Sequence, residues 1–184
     1  RWVSRLLPRA LLVGLVKTPK LPRQAWRAPA LAPLLCLAGG PPGAVIDLPF
    51  FSDQRNLWFQ TIHHRPMLGG MLMKKPSFGS APAWKLRQEN SFLAVLLDLG
   101  DAKLSRNLAY IPADRAAILA SGFRYIVVDK SRMEGVAVGR SPGGSVWPRV
   151  RRLLGEVVGE PDTEDEVVAV YALDEPRLGC GQAR

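Results

Sequence analysis

The strongest strand in this sequence is Phe123–Asp129, FRYIVVD, seven residues dominated by aromatic and β-branched side chains. It follows directly on a short helix predicted over 114–120, with Pro112 near its start and Gly122 just past its end. A second strand is expected over 44–48, AVIDL, where an apolar run is ended by Pro49. Between the two, Ser52 is placed to cap a helix over 53–62 with Asp53 in its first turn, and Leu57, Trp58 and Ile62 are expected to face the core. Pro66 closes that helix, and residues 67–73 suit a short strand around Gly69-Gly70. A loop over 74–85 leads to a helix over 88–99 with Phe92, Val95, Leu96 and Leu99 on one side. After a flexible passage over 133–145, an amphipathic basic helix over 146–154 stops at Gly155. The chain closes on a hairpin: 156–158, an acidic turn EPDTEDE, then 167–173, VVAVYAL. Strands alternating with helices predict an α/β fold: a small mixed β-sheet with flanking helices and a C-terminal hairpin.

Charge divides the chain. Its formal net charge is +9, but seven of its 25 basic residues fall within residues 1–27, and the first acid is Asp47. The remaining 18 basic residues face 16 acids, so the basicity belongs to an arm. That arm alternates Arg and Lys with Leu, Val and Trp, and Pro8, Pro19 and Pro22 interrupt any long helix. It reads as partly disordered, or as a segment lying on a membrane surface with basic groups toward phosphates. No recognition fold accompanies the charge, so nucleic acid is not an expected partner. The passage over 28–43 ends in GGPPG and marks a boundary. The expected organisation is an arm and linker over 1–43, an α/β domain over 44–173 and a disordered tail over 174–184. No run approaches the roughly 18 apolar residues of a membrane-spanning helix. Two cysteines, Cys36 and Cys180, make no disulfide framework, and whether they pair is open.

No complete catalytic set is present. Residues 139–143, GRSPG, match a nucleophile elbow, but Pro142 disturbs the turn and no histidine follows His64. The nearby GVAVGRS is a residue short of a phosphate loop and has Arg140 where lysine is required. His63 and His64 are adjacent, so their side chains diverge by about 100° on a helix and do not share one metal ion. The acidic run over 160–166 lacks the alternating spacing of a calcium loop and reads as a solvated turn. Neither a metal nor a cofactor is expected.

Three stretches carry a resemblance. V-I-D-L-P at 45–49, W-F-Q-T-I-H-H-R-P-M-L-G-G at 58–70 and G-F-R-Y-I-V-V at 122–128 stand in the order seen in bacterial polytopic membrane glycosyltransferases of the GT-C type. The closing L-G…G-E-P…V-A-V-Y is similar to that family's terminal hairpin. The chain resembles the soluble region after the last membrane helix of dolichyl-phosphate-mannose mannosyltransferase relatives, over roughly 44–173. The pattern departs after Gly70, where Met73-Lys74-Lys75 replaces a Ser-Arg-type continuation.

The resemblance implies an extracytoplasmic (periplasmic) accessory domain, non-catalytic by itself, in a parent protein using a lipid-phosphate sugar donor. No catalytic residue carries over, because the family's catalytic acids lie in loops between membrane helices. Its partners would be the membrane portion of the same parent chain, and anionic lipid head groups or the lipid-phosphate donor. Gln60, Thr61, His63, Arg65, Gly69 and Gly70 are the candidate substrate-binding residues. The alternatives are a free-standing membrane-surface or protein-interaction module, and a small enzyme centred on His63.

Overall fold

The computed structural model describes residues 32–50, 53–68, 85–86, 88–100, 108–137, 146–175 and 178–179. The basic arm over 1–31, Ser52, Gly69, Gly70 and the glycine-rich stretch 138–145 lie outside the described residues. The element order is α1 (Ala32–Gly39), β1 (Ala44–Leu48), α2 (Asp53–His63), α3 (Ser91–Gly100), α4 (Pro112–Ala120), β2 (Phe123–Asp129), α5 (Lys130–Ala137), α6 (Trp147–Val158), β3 (Thr163–Glu164) and β4 (Val168–Ala172). The sheet order is β1-β2-β4-β3, with β1 and β2 parallel and the other pairs antiparallel. The fold is mixed α/β, as the alternation of strands and helices predicts.

Side-chain alternation divides the core into two layers. Ile46 and Leu48 of β1, with Ile126 and Val128 of β2, point into a cluster completed by Phe92, Leu93, Leu96, Leu99, Ile118, Val150 and Leu154. This is the layer of α3, α4 and α6. Val45, Tyr125 and Val127 point the other way, onto Leu34 and Leu37 of α1 and Phe59 of α2. Full burial of a leucine or phenylalanine is worth about 1.5–3 kcal/mol, so each layer contributes heavily to stability.

Helix ends follow local chemistry. Asn90 Oδ1 accepts the Leu93 N–H at 2.8 Å and caps α3. Pro112 opens α4, and Gly122 leaves it at φ +87°, a left-handed conformation that suits glycine.

Several expectations shift. The α2 face toward the sheet is Asn56, Phe59 and His63, all buried, whereas Leu57 and Trp58 are 42% and 38% exposed. Positions 56, 59 and 63 form one stripe at helical spacing, and 57 and 58 lie off it. Residues 130–137, expected to fall partly in a flexible passage, form α5. Helix α6 does not stop at Gly155 but runs to Val158, because the apolar stripe through Val150, Leu154, Val157 and Val158 outweighs the roughly 1 kcal/mol cost of a helical glycine. Consequently 156–158 are helical, and the strand opposite β4 is Thr163–Glu164, inside the acidic run. Those acids are engaged: Glu164 binds Lys130 at 2.8 Å and Arg151 at 3.0 Å, and Asp165 Oδ1 accepts the Val167 and Val168 N–H groups.

Two features lie outside the 44–173 span. Helix α1 packs Leu34 and Leu37 into the core at 0% exposure, and Leu178 is buried against the same layer. Cys36 of α1 is disulfide-bonded, and Cys180 is the other cysteine of the sequence.

Candidate functional site

The C-terminal segment of α2 holds the described members of the Gln60–Arg65 candidate set. Gln60 Nε2 donates to the Arg65 carbonyl at 3.2 Å, and the Arg65 N–H donates to His63 Nδ1 at 3.0 Å. His64, at φ 54°, turns the chain out of the helix. The Arg65 guanidinium reaches back to α1, donating to the carbonyls of Leu37 (2.7 Å), Gly40 (2.6 Å) and Pro41 (2.7 Å). These include carbonyls a helix end leaves without partners, so Arg65 caps α1. The same guanidinium lies over the Tyr125 ring. Thr61 stands on the exposed side and donates to the Trp58 carbonyl at 2.7 Å. Gln60, His63 and Arg65 thus bind one another and α1, while Thr61 faces away from them. His63 is 1% exposed, and burial beside Arg65 holds its imidazole down at about 4, so it is neutral near pH 7.

A different polar cluster, Arg55, Asp129 and Ser131, lies at the carboxyl end of β2. The β1 chain leaves the sheet into α2 on the α1 side, with Phe59 packed there. The β2 chain leaves into α5, whose Met133 packs on the opposite side. Adjacent parallel strands whose connections diverge to opposite faces mark a topological switch point at their carboxyl ends, the place where open α/β sheets bind ligands. Asp47 lies near the end of β1 and Asp129 ends β2. Both share the strand face of Val45 and Val127, which is the face of the α1–α2 layer, and the register pairs Asp47 with Val127. Strand geometry therefore separates the two aspartate Cα atoms by about 8 Å.

The start of α2 and the start of α5 complete the cluster. Arg55 Nε stands 3.1 Å from Asp129 Oδ2, an ion pair off the hydrogen-bond direction. Arg55 Nη1 donates to Ser131 Oγ at 2.6 Å, and Ser131 Oγ donates to Asp129 Oδ1 at 2.7 Å. Asn56 follows Arg55 and is 1% exposed, as is Asp47. Among the described residues, both oxygens of Asp47 and both amide atoms of Asn56 lack hydrogen-bond partners. Among the described residues, no group of three or more histidine, cysteine, aspartate or glutamate side chains is arranged to hold a metal ion. The signal in the sequence is an acid inside V-I-D-L and a second acid closing FRYIVVD, one at the carboxyl end of each strand.

Burial pushes the Asp47 carboxyl from 3.8 up to about 8, while it holds His63 down from 6.5 to about 4. The folded Asp47 keeps a proton that the unfolded chain has lost, so its effect is to lower stability as pH rises through that interval. His63 acts in reverse: the unfolded chain gains a proton that the folded chain refuses, and stability falls as pH drops. Between pH 6.5 and 8 Asp47 contributes the larger slope of these two, because the unfolded-state titration of His63 is half complete at pH 6.5 and fades above it. The urea-unfolding free energy should decline by about 1 kcal/mol across that window, and Asp47→Asn, which cannot ionise, should flatten the decline. An identical slope in both proteins would exclude Asp47 as its source.

Comparison with known proteins returns no match: no family model, no curated protein and no solved structure matches the chain.

Proposed function

We propose that this chain is the extracytoplasmic accessory domain of a polytopic membrane glycosyltransferase-like protein using a lipid-phosphate sugar donor, and that it is not catalytic by itself. The observation that carries the placement is the disulfide at Cys36. Structural disulfides persist in oxidising compartments and are rare in reducing ones. The sequence patterns at 45–49, 58–70 and 122–128 supply the link to the membrane enzyme. A surface also fits. Helices α1 and α2 pack together, and Leu35, Leu57 and Trp58 on them are 57%, 42% and 38% exposed. Exposed apolar groups beside the start of the folded core suit contact with a membrane portion of the same parent chain.

The supporting roles divide between two ends of α2. Gln60, His63 and Arg65 hold the α1–α2 layer together at its C-terminal end, and Arg55 joins Asp129 and Ser131 near its start. Topology reporters test the reading. Alkaline phosphatase fused after Arg184 in the full-length gene product should be active, and a fluorescent protein that folds only in the cytoplasm should stay dark. The upstream coding sequence should contain several apolar spans of about 20 residues. A bright fluorescent fusion, or an upstream region without such spans, overturns the proposal.

A further inference from the structure

We infer that the outer face of α1 and α2, formed by Leu35, Leu57 and Trp58, seats on the surface of an anionic lipid bilayer, and that the basic residues preceding α1 supply the attraction to its phosphates. The inference deepens the proposed function and rests on it for the presence of a membrane. It names the lipid surface as what covers this face.

Helix geometry places the face. Leu34 and Leu37 of α1 and Asn56, Phe59 and His63 of α2 are the buried positions of the layer. Leu35 stands about 100–160° around α1 from its buried pair, and Leu57 and Trp58 stand as far around α2 from their buried stripe. The two helices pack together, so all three side chains lie on the side of the layer turned away from the sheet. The exposed positions described on the two helices are Ala32, Leu35, Gly39, Leu57, Trp58 and Thr61, none of them charged. The opposite layer differs. There α6 pairs Arg152 with Glu156 along its own surface, and Arg151 reaches Glu160 at 2.9 Å, a charged and solvated face. Apolar side chains grouped on one uncharged face mark an interaction surface, whereas scattered ones do not.

Charge selects the occupant. Seven Arg and Lys residues fall within residues 1–27 at intervals of three to eight positions, and no acid precedes Asp47. Arg27 lies five positions before Ala32 (32 minus 27), so the chain holds it within about 18 Å of the start of α1. Leu35 is in the first turn of that helix, so the cations and the apolar face meet at one end of the domain. A protein partner presents discrete acidic groups, whereas cations spread over so long a stretch match a continuous sheet of phosphates. Basic groups beside leucine and tryptophan are the combination that holds a peripheral segment at an anionic headgroup boundary, where the amphipathic indole ring is at home.

The test is co-sedimentation of the full chain, disulfide intact, with vesicles of phosphatidylcholine and phosphatidylglycerol in equal parts, and with vesicles of phosphatidylcholine alone. Binding is expected to the mixed vesicles only, and it should weaken as salt is raised. Leu57→Gln combined with Trp58→Gln should weaken it about tenfold or more, because both side chains lose their burial in lipid. Both positions are exposed, so the double variant should stay folded, and a dispersed NMR spectrum checks this. Ile111→Gln, at an exposed apolar residue outside α1 and α2, should leave binding unchanged. In small bicelles of the mixed lipids carrying a nitroxide label, the Trp58 indole N–H signal should broaden. That of Trp147, which packs in the opposite layer and donates to Glu164, should stay sharp. The inference is overturned by no binding to the mixed vesicles, which would return the face to a protein partner, or by equal binding to both kinds. Unchanged affinity in the double variant, or a Trp58 signal no broader than that of Trp147, would overturn it as well, by assigning the binding to the basic residues alone. The vesicles read this chain alone and the topology reporters read its compartment, so the two proposals fail separately.

Discussion

Arg65→Ala should cost about 3–5 kcal/mol of folding stability, a large part of the 5–15 kcal/mol available to an ordinary domain. The residue is 9% exposed, and its guanidinium makes hydrogen bonds of 2.6–2.7 Å to three carbonyls at the end of α1. Hydrogen bonds to charged groups contribute about 1.5–3 kcal/mol each, and their loss leaves buried acceptors behind. Alanine also removes the stem and the cation lying 5.7 Å from the centre of the Tyr125 ring. Lysine keeps the charge but not the planar fork, so Arg65→Lys should recover less than half of the loss. Urea unfolding at pH 7.5, where His63 is neutral, measures both. A loss below about 1 kcal/mol for Arg65→Ala would mean that α1 holds its position without this cap.

The same residue shows what sequence reading can and cannot reach. In the sequence Arg65 is part of a polar segment whose chemistry suggests a ligand. Its actual partners are backbone carbonyls 24–28 positions earlier, in a helix that punctuation had hidden. Pro33, Gly39 and Gly40 make residues 28–43 look like a linker, yet eight residues there form α1. Burial of Leu34 and Leu37 overrides those local signals. Strands β1 and β2 are legible to the residue, because a buried strand writes itself as a continuous apolar run between breakers. The phase of α2 is not. Of the apolar choices Leu57, Trp58 and Ile62, only Ile62 packs against the core, and the fully buried stripe runs through Asn56, Phe59 and His63. Polar residues on the inner face are what hydrophobic periodicity cannot anticipate. The burial of Asp47 and Asp129 is illegible for the same reason: one aspartate in an apolar strand carries no meaning until a second strand places another beside it.

Breaking the disulfide should have an effect comparable to removing the Arg65 cap. Cys36 is disulfide-bonded, and the single other cysteine, Cys180, lies 144 positions on (180 minus 36). Closing a loop of that length restricts the unfolded chain strongly, and the chain-entropy account gives an upper figure of about 5 kcal/mol; measured losses are more often about 2–4 kcal/mol. The folded side shows how the C-terminal segment is seated. Leu178 is 5% exposed in the α1 layer, and a methyl group on Gly40 would collide with it. Asp162 ties that segment to the sheet, accepting the Leu178 N–H at 3.2 Å through Oδ1 and the Ala172 N–H at 2.6 Å through Oδ2. Cys36→Ser should therefore lower stability by about 3 kcal/mol. Hydrogen exchange should speed up at the Leu178 amide before the β2 amides, because the segment opens ahead of the sheet. The effect should also couple to Arg65. Both residues restrain α1, so Cys36→Ser and Arg65→Ala together should cost measurably more or less than the sum of their separate losses. A free Cys180 thiol in the oxidised protein, or reduction that changes neither stability nor exchange at Leu178, would show that the segment is seated by packing alone.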